Sequence, residues 1–152
     1  MPPGRPNAER IVMRLEPITD WHDHIEAGRQ YLRTAVKGQS RNAVFNNELV
    51  FQLAAMAVER LMAGLMQYYR QMPVDHTLSG LAAELAEVCP LDAALAARIR
   101  AIEAVDDMCA LTIEHREPPA KGAIEEILAV GREIERFVDG HLPDGWGGPA
   151  TA

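Results

Sequence analysis

Three basic side chains recur at a regular spacing in this sequence and are candidates for binding an anion. Arg29, Arg33 and Lys37 follow one another at intervals of four residues, which places them along one edge of a helix. Such a strip could bind the phosphates of RNA or of a nucleotide. The alternative is a solvated helix edge, partly neutralised by Glu26. The sequence favours this alternative, because Tyr31 is the one aromatic residue among the basic ones.

The histidines form no metal-binding pattern. His22, Asp23 and His24 are adjacent, but consecutive helical positions point in different directions, so these side chains cannot converge on one ion without other ligands. No histidine follows a glutamate by three residues, as the Glu-x-x-His pairs of a di-iron bundle require. No Gly-rich phosphate loop occurs either. We therefore expect neither a metal nor a cofactor.

Two further pairs of reactive side chains have a structural interpretation. Glu59 and Arg60 interrupt a very apolar segment. A charge in such surroundings needs a partner, so pairing with a neighbouring helix or subunit is favoured over acid–base catalysis. Cys89 and Cys109 fall in no metal-ligand spacing, and we expect buried, reduced thiols.

The composition indicates one helical domain. The chain has 152 residues, of which 48% are apolar and only 5% aromatic, and no segment alternates like a half-buried strand. The formal charge of -7 disfavours nucleic-acid binding by the whole surface but allows a local basic patch. Because neither a signal peptide nor a membrane-length run is evident, we expect a cytoplasmic protein.

Apolar periodicity predicts about five helices. The first follows a cap at Thr19 or Asp20 and ends at Gly38. The second, from about residue 42 to residue 71, is the longest. It is apolar most of the way round, which is typical of the centre of a bundle or of a dimer seam.

Prolines separate the remaining helices. Pro73 is predicted to end the second helix, Asp75 to cap the third and Pro90 to precede the fourth. The fifth is predicted to start near Pro118 and to be capped by Gly140. Its buried face is predicted from the apolar spacing to be Ile124, Ile127, Leu128, Gly131, Ile134 and Val138.

These elements predict an all-α, up-and-down antiparallel bundle over residues 18–142. Residues 1–17 carry four prolines and are expected to form a loosely ordered leader. Residues 143–152 are rich in Gly and Pro and are expected to form a disordered tail.

Three short motifs in order along the chain resemble the HEPN family of small nucleotide-binding helical bundles. Residues 57–60, Ala-Val-Glu-Arg, look like the Ala-x-Glu segment of its long second helix. Residues 75–81, Asp-His-Thr-Leu-Ser-Gly-Leu, are similar to its Thr-His-Asp-Leu-x-x-Leu turn, with Asp and Thr exchanged. Residues 115–118, His-Arg-Glu-Pro, are similar in position to an Arg-Tyr-Pro turn that lacks its tyrosine here.

The resemblance implies a homodimer that works with a nucleotidyltransferase or a toxin–antitoxin partner. In this view His76, His115 and Arg116 are candidates for ligand binding, beside Arg29, Arg33 and Lys37. Some relatives are metal-independent ribonucleases, which place an Arg and a His, four to six residues apart, in a cleft at the dimer interface.

Two segments have that spacing, Arg70 to His76 and Arg136 to His141. Pro73 lies between the first two residues, so they do not share a helical face. The second pair is at the end of the last helix, where preorganisation is poor. Neither pair is favoured as a catalytic site.

Three hypotheses follow. The first is a noncatalytic accessory protein that associates with nucleotides or RNA. The second is an RNase with an Arg/His pair at the dimer cleft, and the third is a structural module that binds another protein.

Overall fold

The computed structural model describes residues 20–41, 46–110 and 118–143, and for residues 106–110 the backbone alone. Within these ranges there are five α-helices and no strand, so the all-α class is confirmed. We number the helices α1 (Trp21–Gln39), α2 (Asn47–Tyr68), α3 (Leu78–Val88), α4 (Ala93–Ala110) and α5 (Lys121–His141). The predicted leader and all but the first residue of the predicted tail lie outside the described residues. Cys109 belongs to α4, but its side chain is not described.

Helix α2 is the core of the bundle and contacts α1, α3 and α5. It is long and apolar enough to cross a membrane, yet 61% of its apolar window is buried inside the fold. A helix that is apolar nearly all round and covered by its neighbours is typical of the centre of a bundle. The central position predicted for this helix is therefore confirmed.

The directions of the first helices follow from their contacts. Helix α1 is antiparallel to α2, because Ile25 near its start lies against Gly64 near the end of α2. Helices α2 and α5 run the same way. The side-chain amide of Asn47, at the start of α2, donates a 3.2 Å hydrogen bond to the carbonyl of Pro119, just before α5.

Helix α4 is antiparallel to α5 and is held to it by ion pairs. Val105 late in α4 and Ala123 early in α5 line the same small cavity. The Arg98 guanidinium donates two hydrogen bonds of 2.9 Å to the Glu126 carboxylate and also pairs with Glu133. Hydrogen bonding to Arg98 lowers the pKa of Glu126. Helices α1 and α4 therefore point one way and α2 and α5 the other.

Helix α2 begins and ends differently from the prediction. It begins at Asn47, where the side chain of Asn46 accepts a 2.8 Å hydrogen bond from the amide of Leu49; residues 42–45 lie outside the described residues. It ends at Tyr68, five residues before Pro73. Arg70 adopts a left-handed conformation with φ of 65°, and its amide donates to the Gln67 carbonyl at 2.9 Å. This turn, not the proline, ends the helix.

Two other predicted caps are wrong. The cap of α3 is Thr77, whose side chain accepts from the amide of Gly80 at 3.1 Å. Asp75 instead accepts from both the amide and the hydroxyl of Thr77, at 2.9 and 2.7 Å, and these bonds lower its pKa. Gly140 is inside α5, which continues to His141. The six buried positions predicted for α5 are all confirmed.

Candidate functional site

Most of the described aromatic rings lie at one end of the bundle, where α1 begins and where α2 and α5 finish. Of the six aromatic residues that the structure describes, four lie here with two histidines. We call this set the aromatic end: Trp21, His22, Tyr68, Tyr69, Phe137 and His141. This cluster could not be recognised from the sequence, because its members come from three helices.

The rings of the aromatic end contact one another from helix to helix. Trp21 stacks on His22 with ring centroids 3.7 Å apart and meets Tyr68 edge-on at 5.0 Å. Tyr69 stands nearly perpendicular to Tyr68 at 5.2 Å and to His141 at 6.4 Å. Perpendicular ring pairs are favourable, so these contacts orient the Tyr69 ring. Tyr69 is nevertheless 37% exposed.

The tautomer of His141 is set by its own helix. Its Nδ1 atom lies 2.8 Å from the carbonyl oxygen of Phe137. Because a carbonyl can only accept, Nδ1 must carry the hydrogen. In the neutral ring, Nε2 is then the basic nitrogen and the one able to accept a proton.

Two energetically costly features lie at the end of α2, beside Tyr69. Arg70 is exposed and has the left-handed backbone that favours glycine, at a cost of about 1 kcal/mol for other residues. Gln67 is 4% exposed, and no partner among the described residues satisfies its Oε1 atom, which costs about 1–3 kcal/mol. Costs of this kind concentrate at functional sites.

A second group of residues lies between α1 and α5, and we call it the arginine–carboxylate cluster: Arg29, Arg33, Glu135, Arg136 and Asp139. Arg29 pairs with Asp139, 110 positions away, and its Nε atom is 3.8 Å from the Glu135 carboxylate. Burial and then Asp139 raise the pKa of Glu135, while Arg29, Arg33 and Arg136 act in the opposite direction. Among the described residues, three arginines and two carboxylates therefore lie near one another here.

Arg29 therefore does not lie on an exposed basic strip. It is only 3% exposed and connects α1 to α5, whereas Arg33 and Lys37 are exposed. Arg33 instead lies within electrostatic range of the carboxylate next to Arg136. The structure thus brings two residues of the predicted strip, Arg29 and Arg33, into one cluster with Arg136, a member of a predicted Arg/His pair.

The remaining candidates are separated. His76 is exposed in the loop before α3. Arg136 and His141 share α5, but a spacing of five residues places them on different faces. Tyr69 is next to one member of each predicted pair: it directly precedes Arg70 in the chain, and its ring contacts the ring of His141. His115 and Arg116 lie outside the described residues.

Arg60 and His24 form a contact that the sequence did not predict. The Arg60 guanidinium is 3.0 Å from Nδ1 of His24. Arginine can only donate, so Nδ1 is unprotonated, and the Nε2 side faces the Asp20 carboxylate at 3.8 Å. Burial, followed by the charge of Arg60, lowers the pKa of His24. This pair connects α1 to α2.

One other surface depression, of about 350 Å³, lies on α1 and is lined by Asp23, Glu26, Ala27, Gln30 and Tyr31. Its two carboxylates disfavour a phosphate-bearing ligand. Among the described residues, no three His, Cys, Asp or Glu side chains come together as metal ligands would.

No protein-family model matches this chain, and no significant match was found among curated proteins or solved structures. The resemblance to HEPN proteins therefore stays a prediction.

Proposed function

We propose that this protein is a noncatalytic accessory protein that associates with nucleotides or RNA. The observation that carries the proposal is the position of two features on the last two turns of α5. Arg136 belongs to the arginine–carboxylate cluster, while Phe137 and His141 belong to the aromatic end. Arginines suit phosphates, and exposed rings suit bases. A nucleotide presents both groups.

The site is local, in keeping with the formal charge of -7. Binding through a few arginines depends on phosphate contacts, so the affinity should fall as the salt concentration rises. The resemblance adds that the protein works with a nucleotidyltransferase or a toxin–antitoxin partner.

Ligand-induced stabilisation tests this proposal. ATP and a short unstructured RNA should each raise the melting temperature of the purified protein, because a ligand that binds only the folded state stabilises it. Replacing both Arg33 and Arg136 with Ala should reduce that gain. Arg100→Ala is the matched control, since Arg100 is exposed on α4. A melting temperature unchanged by ATP, RNA and any other nucleotide would contradict the proposal.

The RNase alternative has one observation in its favour. His141 holds Nε2 as its basic nitrogen, and Arg70 follows the tyrosine that His141 contacts. A general base is one requirement of metal-independent RNA cleavage. RNA cleavage in the presence of a chelator, lost in His141→Ala, would establish this function.

We also propose that the protein forms a homodimer through α2. Leu49 and Met56 are 42% and 37% exposed, and Leu53 between them is only partly buried. The three residues share one face of the helix. Replacing Leu49 and Met56 with Gln should shift the mass measured by light scattering to that of a monomer. Val74→Gln is the control, and a wild-type monomer at high concentration would refute the dimer.

The interaction-module alternative rests on the loop between α2 and α3. Met72 and Val74 are 59% and 85% exposed, and the Glu84 carboxylate accepts from the amides of Val74 and Asp75 at 3.0 and 3.1 Å. This loop therefore holds two apolar side chains in solvent. Co-purification of a single partner, lost in Met72→Gln and Val74→Gln, would favour this function.

A further inference from the structure

We propose that Tyr69 is the stacking platform for one unpaired nucleobase and that Arg70 contacts the phosphate attached to it. This inference rests on the proposed function and specifies the ligand as an unpaired base, whether in a free nucleotide or in single-stranded RNA. A base within a duplex is excluded, because its faces are already covered by its neighbours.

The orientation of the Tyr69 ring supports its role as a stacking platform. Its described ring partners, Tyr68 and His141, stand at 74° and 77° to it. No described ring is therefore stacked parallel to Tyr69, and the residue remains 37% exposed. Burial raises the pKa of its hydroxyl, so the ring carries no charge at neutral pH that would repel a phosphate.

The backbone conformation of Arg70 supports a role for its side chain in binding the phosphate. The turn that ends α2 requires a left-handed residue, and glycine would provide it without strain. Arginine occupies this position with φ of 65°, and the hydrogen bonds of the turn use its backbone alone. The side chain is exposed and directly follows the ring. An exposed arginine next to the ring in the chain could bind the phosphate of a base that stacks on Tyr69.

The two variants should affect binding differently. Tyr69→Leu should weaken the binding of a labelled unstructured 12-nucleotide RNA about 5- to 150-fold, the range typical of one lost base–aromatic stack. It should leave the affinity for tripolyphosphate unchanged. Tyr69→Phe keeps the ring and should bind RNA as the wild type does. Arg70→Gly should weaken both RNA and tripolyphosphate, while its melting temperature rises because the strained backbone is relieved.

Matched controls separate these effects from general damage. Tyr31→Leu removes a partly buried tyrosine elsewhere on α1, and Arg100→Ala removes an exposed arginine from α4. Neither should change RNA affinity. Circular dichroism and melting curves of every variant check that the fold is retained.

The outcomes distinguish this inference from the proposed function. If the wild type binds RNA or nucleotides and Tyr69→Leu binds them equally well, or if duplex RNA binds as tightly as the single strand, the inference is wrong and the proposed function stands. If no nucleotide, RNA or tripolyphosphate binds, both are wrong. Binding of ATP without RNA would identify the ligand as a free nucleotide, and binding of RNA without ATP would identify it as a single strand.

Discussion

Gly28 lies in a close contact between α1 and α2, and replacing it with Ala tests that packing. A Cβ atom at this position would lie 2.8 Å from Cγ of Leu61 and 3.2 Å from the carbonyl oxygen of Ala57. Cγ of Leu61 is the branch point of a fully buried side chain, and the carbonyl belongs to the backbone of α2. Neither can move without displacing the core, so the two helices must separate slightly.

Two opposing terms set the magnitude. Ala is favoured over Gly inside a helix by about 1 kcal/mol, whereas overpacking a well-filled core costs about 1–3 kcal/mol. Because the contacts involve a branched carbon and the backbone, we take the upper half of that range. The net loss of stability should then be about 1–2 kcal/mol, which corresponds to a fall of about 2–8 °C in melting temperature for a chain of this size.

Gly140→Ala is the control, because an added Cβ there meets nothing within 4 Å. It should be neutral or stabilising by up to about 1 kcal/mol. The assay is urea denaturation of both variants, followed by circular dichroism at 222 nm. Adding Leu61→Ala to Gly28→Ala should cost less than the sum of the two changes, since the second substitution makes room for the first. If Gly28→Ala is as stable as Gly140→Ala, the close approach of α1 and α2 is wrong.

Three further predictions concern pH and capping. The pKa of His24 is lowered in the folded state, so its contribution to stability is present above pH 6.5 and is lost as the pH falls through the folded pKa. His24→Gln should therefore lose less melting temperature on acidification than the wild type does. An unchanged dependence of melting temperature on pH would refute this. The pKa of Glu135 is raised, so its contribution has the opposite sign. The protein gains stability as the pH falls through the folded pKa of Glu135 towards the ordinary value of 4.5. Glu135→Gln should lack that gain when melting temperature is measured against pH. Asn46→Ala should cost about 1 kcal/mol of unfolding free energy in urea denaturation, because it removes the side-chain acceptor for the first turn of α2; a change within error would mean that water replaces the cap.

The class of fold could be predicted from local pattern because burial follows helical periodicity. The six positions predicted for the inner face of α5 are all buried, and α2, apolar most of the way round, is central. The helix ends were less predictable. Pro73 lies close to the end of α2, but the helix ends before it, at the turn formed by Arg70. This end was not predicted because Arg70 adopts a left-handed conformation that is usually expected of glycine.

That the chain forms helices, and which face of the last helix is buried, could be read from the sequence, because both depend on residues within a few turns of each other. The burial of Arg29 against a residue 110 positions away, and the meeting of rings from three helices at one end, became evident in the fold alone. Periodicity identifies an apolar face but not the helix that will cover it. Contacts between charges and rings on different helices depend on helix direction and register, which the whole core sets together.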